Sequence, residues 1–519
     1  MPVKTLILVS QYHDSVSLML VARELAHMPG VTDAAVVMAT EANKGILKQA
    51  GLLTPEAEAA TPNDLVIAVS AADQALAPAL VEAEKLLHQK QASEQGGEFR
   101  PKTLRGAVKA NPAANVAVIS VAGRYAVDEA WDALYAGLHV LLFSDNVSLE
   151  DEIALKRYAA ANGLLLMGPG AGTAILNGVA LGFANLVPPG PVGIVSAAGT
   201  GLQEVSSLLA KSGVGLTQGI GTGGRDLKQE VGALMMLAGL QALQADPATQ
   251  VIVLVSKPPA AEVAGKVLEQ VARSDKPSVV CLLGGDFVEL ASPNHRIART
   301  LEEAAALASA FATRGAAPPG SYPGQGAGLP VDPAVLRSRL APGQGYLRGL
   351  FSGGTLCYEA QVIWRDLLLS RVFSNAPLNP DDRLPDSTLS QCHSAVDLGE
   401  EEFTVGRPHP MIDNDLRIRR LMQEAADAEV AVLLLDVVLG YGAHPDPAGE
   451  LAPAIQRARR LASDGGRELH VVASVTGTEQ DPQRLSLQVQ ALEQAGVIVC
   501  QSNAAAARLA AAIVKETYA

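Results

Sequence analysis

The amino-acid sequence predicts an α/β protein built from three domains that each contain a parallel sheet. The first observation is length, because 519 residues suffice for about three domains of ~150 residues each. The second is composition, since 48% of the residues are hydrophobic and only 4% are aromatic. The third is an alternation of short apolar runs with helical patterns, which is typical of strands buried on both faces by helices. We therefore expect three Rossmann-like, flavodoxin-like domains.

The first predicted domain covers residues 1–165 and is Rossmann-like. A helical pattern of apolar residues begins at Ser15 and ends before Pro29 and Gly30, which do not continue a helix. Runs rich in Val, Ile and Leu predict the strands of this domain, at 5–9, 34–38, 65–69, 116–121 and 139–143. Strands that alternate with helices predict right-handed crossovers and parallel pairing.

The second predicted domain, at 166–314, repeats this alternation, and a helix is expected after Thr300 because Glu302 and Glu303 suit its first turn. A segment dominated by Pro and Gly at 315–344 is the clearest predicted linker. The third domain covers 345–519. The strands predicted in these two domains lie at 192–196, 216–221, 251–255, 278–283, 345–350, 430–435, 469–475 and 496–499.

Charge and cysteine content narrow the function classes. The 40 Lys and Arg residues against 54 Asp and Glu residues give a net charge of −14. An acidic chain without a basic patch is not expected to bind nucleic acid or an anionic membrane. The four cysteines form no CxxC pair, and the N-terminal apolar run is too short for a secretory signal, so we expect a cytoplasmic protein with reduced thiols.

Glycine-rich turns after predicted strands are the main functional signal. The run at 192–196 leads into Ala197-Ala198-Gly199-Thr200-Gly201 and then into a helical pattern. Such a turn directs free backbone N–H groups toward one point, where the helix dipole also favours negative charge. Similar turns occur at 168–173, 219–226 and 351–355.

Four such turns, with Ser or Thr beside them, predict binding of phosphate, pyrophosphate or carboxylate, although glycine can also serve only to close a tight turn. No P-loop and no dinucleotide fingerprint after the first strand are present. The predicted phosphate- or substrate-binding residues are Gly168, Gly170, Gly172, Thr173, Ser196, Ala198, Gly199, Thr200, Gly201, Gly221, Gly223, Gly224, Arg225, Gly353, Gly354 and Thr355.

These motifs resemble a known family. The segments at 190–205 and 219–227 resemble the second domain of the succinyl-CoA synthetase α subunit, and GPGAGT at 168–173 is similar to the turn before that domain. The segments at 395–413 and 433–447 resemble the CoA-ligase domain of the β subunit. This resemblance implies a CoA-binding-domain-like first domain. The whole chain most closely resembles the FdrA family, through DSVSLML (14–20), FSDNVSLEDEI (143–153), SKPPA (256–260), VGRPHPMID (405–413) and VTGTEQDP (475–482).

The sequence departs from succinyl-CoA synthetases in its chemistry. Those enzymes carry a phosphohistidine in a Gly-His turn, but the matching region at 256–267 contains no histidine. His295 is the only histidine between 140 and 390, and its surroundings do not resemble that turn. No segment resembles an ATP-grasp domain, so ATP would require another subunit. FdrA proteins often have Asp-Cys where this chain has Gly170-Ala171.

The FdrA resemblance implies a carbamoyltransferase subunit in anaerobic purine (allantoin) breakdown, working with two companion subunits. The implied reaction converts oxalurate and phosphate into oxamate and carbamoyl phosphate. One alternative is an acyl-CoA synthetase subunit without the phosphohistidine, which would bind CoA. Another is a non-catalytic scaffold that binds an anionic metabolite. We expect no resident cofactor, a small anionic substrate, and a hetero-oligomer or homodimer.

Phosphorolysis of a ureido bond requires anion binding and a proton donor. His409 in the stiff GRPHP loop is the predicted acid or base, and Arg407 beside it is a predicted bidentate anion ligand. Lys257, after the strand at 251–255, and Asp436, in the run VLLLD, complete the predicted catalytic set. Each of these residues could instead organise a loop, a strand end or a subunit contact. No compact metal-ligand motif is present, so no metal is predicted.

Overall fold

The computed structural model describes residues 2–11, 13, 15–93, 101–121, 123–285, 294–313, 330–368, 370–404 and 408–515. Arg407 and residues 315–329 of the predicted linker lie outside the described residues. The chain forms two compact units. Unit 1 consists of Met1–Ala114, Ser120–Asp132 and Glu401–Pro408, and unit 2 of Asn115–Ile119, Ala133–Glu400 and His409–Ala519. The domain boundaries expected from the sequence remain predictions.

The elements of the first third of the chain alternate strands with helices. In chain order they are β1 (Val3–Leu8), α1 (Ser15–Ala26), β2 (Val31–Met38), α2 (Glu41–Gln49), α3 (Pro55–Ala59), β3 (Leu65–Ala71), α4 (Asp73–Ser93), α5 (Leu104–Ala110), β4 (Val116–Ile119), α6 (Gly123–Tyr135), β5 (His139–Leu142), α7 (Leu149–Ala161) and β6 (Leu166–Met167).

The alternation continues through the rest of the chain, as expected from the sequence. The elements are β7 (Thr173–Leu176), β8 (Val179–Gly182), β9 (Pro189–Ser196), α8 (Gly199–Lys211), β10 (Leu216–Gly221), α9 (Leu234–Ala245), β11 (Val251–Ser256), α10 (Ala261–Ala272), β12 (Ser278–Leu282), β13 (His295–Ile297), α11 (Leu301–Ala312), α12 (Pro333–Arg337), β14 (Tyr346–Phe351), α13 (Gly354–Leu368), β15 (Val372–Ser374), a 3₁₀ turn (Pro380–Asp382), β16 (His393–Asp397), α14 (Glu401–Thr404), α15 (Asp415–Ala426), β17 (Val430–Val438), α16 (Pro447–Asp464), β18 (His470–Thr476), α17 (Leu485–Gln494), β19 (Ile498–Cys500) and α18 (Asn503–Val514).

Unit 1 contains a three-stranded sheet whose pairing differs from the prediction. The strand order is β1-β3-β2, and Val3 lies opposite Ser70 while Leu8 lies opposite Leu65, so β1 and β3 are antiparallel. Strands β2 and β3 are also antiparallel. The parallel arrangement predicted for these three strands is therefore wrong.

The physical reason is that helices cover both faces of this antiparallel sheet. Leu65, Ile67 and Val69 pack against α1 and α4, whereas the alternating residues Val66 and Ala68 pack in a second core with residues of α2 and α3. Burial on both faces produces the continuous apolar run that also characterises parallel strands, so the run alone does not distinguish the two.

Unit 2 confirms the α/β class with several parallel sheets. Its largest sheet has the order β13-β12-β11-β9-β10-β7-β8. The strands from β13 to β10 are parallel, β7 pairs antiparallel with β10, and β8 pairs antiparallel with β7. A six-stranded sheet, β15-β16-β14-β17-β18-β19, is parallel throughout. A third sheet, β4-β5-β6, is also parallel.

The two larger sheets of unit 2 share one hydrophobic core. It contains Val253 of β11 and Leu434 of β17, together with apolar residues of α8, α11, α13 and α18. Every residue of β11 and β17 is buried, as expected for strands covered on both faces. The core thus brings the two sheets together within unit 2, where the candidate site lies.

A buried carboxyl in this core leads to a prediction about pH. Burial raises the pKa of Glu359 on α13 to about 8. Since the folded chain then retains a proton that the unfolded chain loses near pH 4.5, stability is expected to fall as pH rises from about 5 to about 9. Glu359→Gln should reduce the difference in the free energy of unfolding between these two pH values by a few kcal/mol, and urea unfolding at each pH measures this difference. The matched control is Glu269→Gln on the exposed face of α10, and equal slopes for the two variants would contradict the prediction.

Among the described residues, no helix combines the length and the apolar character that crossing a lipid bilayer would require.

Candidate functional site

The first turn of α8 is an uncapped helix N-terminus. Strand β9 ends at Ser196, whose Oγ accepts a hydrogen bond from the Ala198 N–H (3.0 Å) and donates one to the Ala198 carbonyl (2.7 Å). Among the described residues no side chain caps this helix. The first helical bond is donated by Leu202 to Ala198, so the N–H groups of Gly199, Thr200 and Gly201 precede it and are available to an anion.

A second helix N-terminus is built on the six-stranded sheet. Strand β14 ends at Phe351, and α13 begins at Gly354. Its first helical bond runs from Cys357 to Gly353, so the amides of Gly354 and Thr355 precede it. The six-stranded sheet thus contributes a second set of free N–H groups at the carboxyl end of a strand, where α/β sheets usually bind ligands.

The two turns pack directly on each other. A Cβ atom added to Gly353 would lie 2.8 Å from Cγ2 of Thr200, and one added to Gly201 would lie 3.0 Å from Cγ2 of Thr355. Each threonine therefore occupies the space that a side chain on the opposing glycine would need. This reciprocal glycine–threonine packing brings the positive ends of two helix dipoles together.

Lys257 lies beside the second turn. It follows β11, which neighbours β9 in the sheet. A Cβ on Gly354 would lie 3.6 Å from its Nζ and 2.5 Å from Oδ2 of Asp397. The ammonium group therefore adds a formal positive charge where the two helix N-termini already favour an anion.

Asp397 is the acidic group of this site and was not predicted from the sequence. It ends β16 and is buried, and its Oδ1 accepts the Gly399 N–H at 3.0 Å. Burial raises the pKa of Asp397 to about 7, even though Lys257 acts in the opposite direction. A carboxyl with this pKa can both donate and accept a proton near neutral pH.

His409 faces the same corner from the loop after α14. A Cβ on Gly399 would lie 2.7 Å from its Nε2 and 3.2 Å from Oδ1 of Asp397. Its Nδ1 accepts the Met411 N–H at 3.2 Å, which assigns the ring proton to Nε2. Burial lowers the pKa of His409 to about 4, so the ring is neutral at pH 7 and presents an N–H donor.

Asp436 lies beneath the second turn. Its carboxylate accepts the N–H groups of Ser352 and Gly353, both at 2.8 Å, and the Ser352 hydroxyl at 3.1 Å. Arg417 forms a buried ion pair with it at 2.6 Å. These bonds engage both carboxylate oxygens with the protein itself. The structure thus gives Asp436 a positioning role for α13, and a direct role in catalysis stays a prediction.

The turns at 168–173 and 219–226 pack beside the first turn of α8. A Cβ on Gly221 would lie 2.2 Å from the Thr173 carbonyl oxygen, and one on Gly223 would lie 2.8 Å from that of Pro169. The first of these turns leads into the β7–β8 hairpin rather than into a helix, so no helix dipole acts there. Close backbone packing accounts for Gly168, Gly221 and Gly223, whereas a Cβ on Gly170 would meet open space and one on Gly172 or Gly224 would make ordinary contacts.

Arg225 is engaged in a buried charge network. Its Nε lies 2.7 Å from Glu152, and its guanidinium donates to the Val147 carbonyl at 2.9 Å. Lys156, which is fully buried, pairs with Glu152 at 2.8 Å and with Asp226 at 2.9 Å. This network attaches α7 to the turn after β10. Of the predicted cations, Lys257 is therefore placed at the two facing helix turns, Arg225 is engaged in this network, and Arg407 lies outside the described residues.

A family model described as CoA-ligase matches residues 350–513, the part that supplies α13, Asp397, His409 and Asp436. A second model, described as AllF, heavy metal-associated domain, matches residues 1–102, which hold the antiparallel sheet of unit 1. Residues 1–102 contain no cysteine. Within the described ranges, no three His, Cys, Asp or Glu side chains are grouped so that they could hold a metal ion.

The uncharacterized protein YahF of Escherichia coli (strain K12) is 45% identical over 510 residues, which cover 97% of each chain. The chain belongs to the YahF family. Succinate–CoA ligase [ADP-forming] subunit alpha of Methanothermobacter thermautotrophicus is 27% identical over 164 residues, 31% of this chain and 55% of that subunit. The chain therefore matches only about half the length of that α subunit.

A solved structure of dinucleotide-forming acetyl-coenzyme A synthetase 1 from Ca. Korarchaeum cryptofilum, in complex with phosphate and ADP, covers 77% of this chain and 82% of its own. Its sequence identity to this chain is 16% and its TM-score is 0.32. The family model and the α-subunit match show that the chain is a CoA-ligase-like, succinyl-CoA synthetase-like protein. The FdrA resemblance and the carbamoyltransferase reaction remain proposals.

Proposed function

We propose that the chain carries a phosphate-dependent acyl-transfer site of the CoA-ligase type that works without a histidine carrier. The observation that carries this proposal is the pair of helix N-termini, α8 and α13, packed against each other beside Lys257. Two helix dipoles, free backbone amides and an ammonium group form a site for a compact dianion. The similarity to CoA ligases supports acyl transfer as the reaction class.

In this proposal the acyl group moves between a phosphate oxygen and the sulfur of CoA. The bond from the acyl carbon to oxygen breaks as the carbon–sulfur bond forms, and the thiol proton is taken up by a base. Asp397 is the base, because its pKa of about 7 permits proton transfer at neutral pH. The Nε2–H of His409 donates a hydrogen bond to the carbonyl oxygen, where negative charge develops.

The proposal omits a histidine carrier because the region at 256–267 contains no histidine and because neither His295 nor His409 is suited to that role. His295 is buried in the edge strand β13, and burial lowers its pKa. His409 is held by the Met411 N–H through Nδ1 and has its pKa lowered in the same way. We therefore propose direct transfer to or from phosphate.

Transfer of a carbamoyl group is the second candidate, and Asp397 is the observation that favours it. A phosphate oxygen attacks the ureido carbonyl of oxalurate, the carbon–nitrogen bond breaks, and carbamoyl phosphate and oxamate form. The leaving nitrogen requires a proton, which protonated Asp397 supplies, and the proton lost by phosphate restores it. An acid with a pKa of about 7 suits this leaving group better than it suits phosphate, which leaves as an anion.

Companion subunits are part of both proposals. Because the chain matches about half the length of the succinate–CoA ligase α subunit, the remaining functions of such an enzyme would reside elsewhere. ATP and CoA are proposed as substrates of the assembly and not as resident cofactors. If the chain is instead a non-catalytic scaffold, it binds an anion but catalyses no reaction with any companion subunit.

The phosphate site leads to a direct binding prediction. Lys257→Ala should weaken phosphate binding about 10- to 100-fold, because it removes the ammonium group that lies beside the two facing turns. Isothermal titration with phosphate measures this effect. Lys266→Ala on α10 is the matched control, since Lys266 pairs with Glu262 at 2.9 Å on the exposed surface. Equal affinities for the two variants would remove Lys257 from the site.

The two reactions are separated by trapping the product with hydroxylamine. The chain with companion subunits is incubated with phosphate and either an acyl-CoA or oxalurate. Hydroxylamine converts an acyl phosphate into a hydroxamate and carbamoyl phosphate into hydroxyurea, and mass spectrometry distinguishes the two products. Because hydroxylamine also cleaves thioesters, only hydroxamate whose formation requires both phosphate and the protein supports the ligase proposal. Hydroxyurea supports the carbamoyl proposal, and phosphate binding without either product supports the scaffold.

A further inference from the structure

A cavity of about 370 Å³ lies away from the candidate site, beyond the carboxyl ends of β18 and β19. Its walls come from Val475 near the end of β18, from Val499 of β19, and from Leu485 and Val489 of α17. Lys211, the last residue of α8, also lines it. Its size falls within the range of small-molecule sites, roughly 300–1,000 Å³.

One wall of the cavity is apolar, and its side chains are only partly covered by the rest of the protein. Leu485 and Val489 are four residues apart on α17 and therefore share one face of that helix. Both are only half-buried, although their neighbours Gln488 and Leu492 are buried. The apolar side chains thus present surface to the cavity that no other part of unit 2 covers fully.

Lys211 and Gln501 make one end of the cavity polar, and both are exposed to solvent. The Nζ of Lys211 donates to the Val475 carbonyl at 3.0 Å, which leaves two further N–H donors. In the described part of the chain no carboxylate forms an ion pair with Lys211 at 4.0 Å or less. Burial lowers the pKa of Lys211, and the nearby carboxylates of Glu204 and Asp481 oppose this shift and favour the charged ammonium form. Two of its N–H donors are left for a ligand at this end.

We propose that this cavity binds a small amphipathic anion, a carboxylate on a short aliphatic chain. The carboxylate contacts Lys211 Nζ and the Gln501 amide, and the aliphatic chain lies against Val475, Val489 and Val499. Helix α8 has 13 residues, so its two ends are about 20 Å apart. The cavity at its C-terminus is thus distinct from the anion site at its N-terminus, and this inference does not rest on the proposed function.

The test uses hexanoate and its neutral analogue 1-hexanol, each titrated by calorimetry and by displacement of the fluorescent anion anilinonaphthalene sulfonate. The full chain is expected to bind hexanoate about tenfold more tightly than 1-hexanol, since only hexanoate pairs with the ammonium group. Lys211→Met retains the aliphatic stem and should abolish this preference. Val489→Trp fills the cavity from a half-buried position on α17 and should abolish binding of both compounds.

Lys266→Met, on the exposed face of α10, is the control and should bind both compounds as the unmodified chain does. Circular dichroism establishes that each variant is folded. The inference is overturned if hexanoate shows no saturable binding, if Lys211→Met retains the preference for the anion, or if Val489→Trp binds hexanoate with unchanged affinity.

Discussion

Asp436→Asn is expected to lower the free energy of unfolding of unit 2 by about 3–5 kcal/mol, the usual cost of breaking a buried ion pair from one side. The Arg417 guanidinium lies 2.6 Å from Asp436 and both side chains are buried, so the variant leaves a charge without its partner. The Asp436 carboxylate accepts two backbone N–H groups. In asparagine one of the two oxygens is replaced by an NH₂ group, which is a donor, so one of these hydrogen bonds is lost.

The same substitution should affect the anion site. Asp436 holds the N–H groups of Ser352 and Gly353, which set the direction in which α13 begins. Without these hydrogen bonds the turn at Gly353, which packs on Thr200, is held less firmly in place. Phosphate affinity is therefore expected to fall about tenfold in protein that is still folded. Urea unfolding measures stability, and titration with phosphate below the unfolding transition measures the positioning effect separately.

The control for this variant is Asp415→Asn on α15, the helix that also carries Arg417. Asp415 pairs with Arg419 at 2.6 Å, but both side chains are 61% exposed. An exposed pair of this kind contributes less than about 1 kcal/mol, so the control should be nearly neutral. Similar losses of stability for the two variants would mean that Asp436 is not the anchor of the turn.

Asp397→Asn is expected to reduce turnover about 10²- to 10⁴-fold, the range for loss of a general acid or base. The side chain is buried and adopts its neutral form readily, because burial raises its pKa to about 7. Asparagine resembles that neutral form, so the variant should fold with little change in thermal stability. Loss of activity without loss of stability would identify proton transfer as the role of Asp397.

The pH dependence of turnover separates the two reactions. If Asp397 donates a proton to the leaving nitrogen of oxalurate, the rate of phosphorolysis falls as pH rises above about 7. If Asp397 accepts the proton of the CoA thiol, the rate of acyl transfer rises through the same pH. The change in rate near pH 7 that arises from titration of Asp397 should be absent in Asp397→Asn.

Asp366→Asn is the matched control, because Asp366 lies on α13 but its side chain is 62% exposed and pairs with Arg365. It should retain both the rate and the pH profile of the unmodified chain. A pH limb that persists in Asp397→Asn would assign proton transfer to another group, and His409→Gln, which keeps a donor N–H, would then be the next variant to measure.

Much of the fold of unit 2 could be predicted because its longer strands are continuous apolar runs. The runs at 192–196, 251–255 and 430–435 all correspond to strands, and the helix expected after Thr300 begins at Leu301 with Thr300 as its cap. Several short strands, among them β13, β15 and β16, were not predicted. β16 begins with a buried histidine and ends in Asp397, so its five residues lack the continuous apolar character of the others.

The candidate site also contains residues that the sequence predicts and a residue that it does not. The turn residues Gly199, Thr200, Gly353 and Gly354 were predicted from local signals, since a glycine turn between a strand and a helix is visible in the chain itself. Asp397 was missed because its raised pKa arises from burial among residues that are distant in the sequence. An acidic residue that ends a short run and precedes Leu-Gly is the only local signal for it.

From the sequence alone one can derive the α/β class, the strands of unit 2 and the turns that offer backbone amides to an anion, because these depend on residues that are adjacent in the chain. Only the tertiary structure decides that β1 and β3 are antiparallel, that the turns of α8 and α13 pack together, and that the Asp436 carboxylate is engaged by the protein. Strand direction, apposition and desolvation depend on which distant segments meet, and hydrophobic periodicity carries no information about that choice.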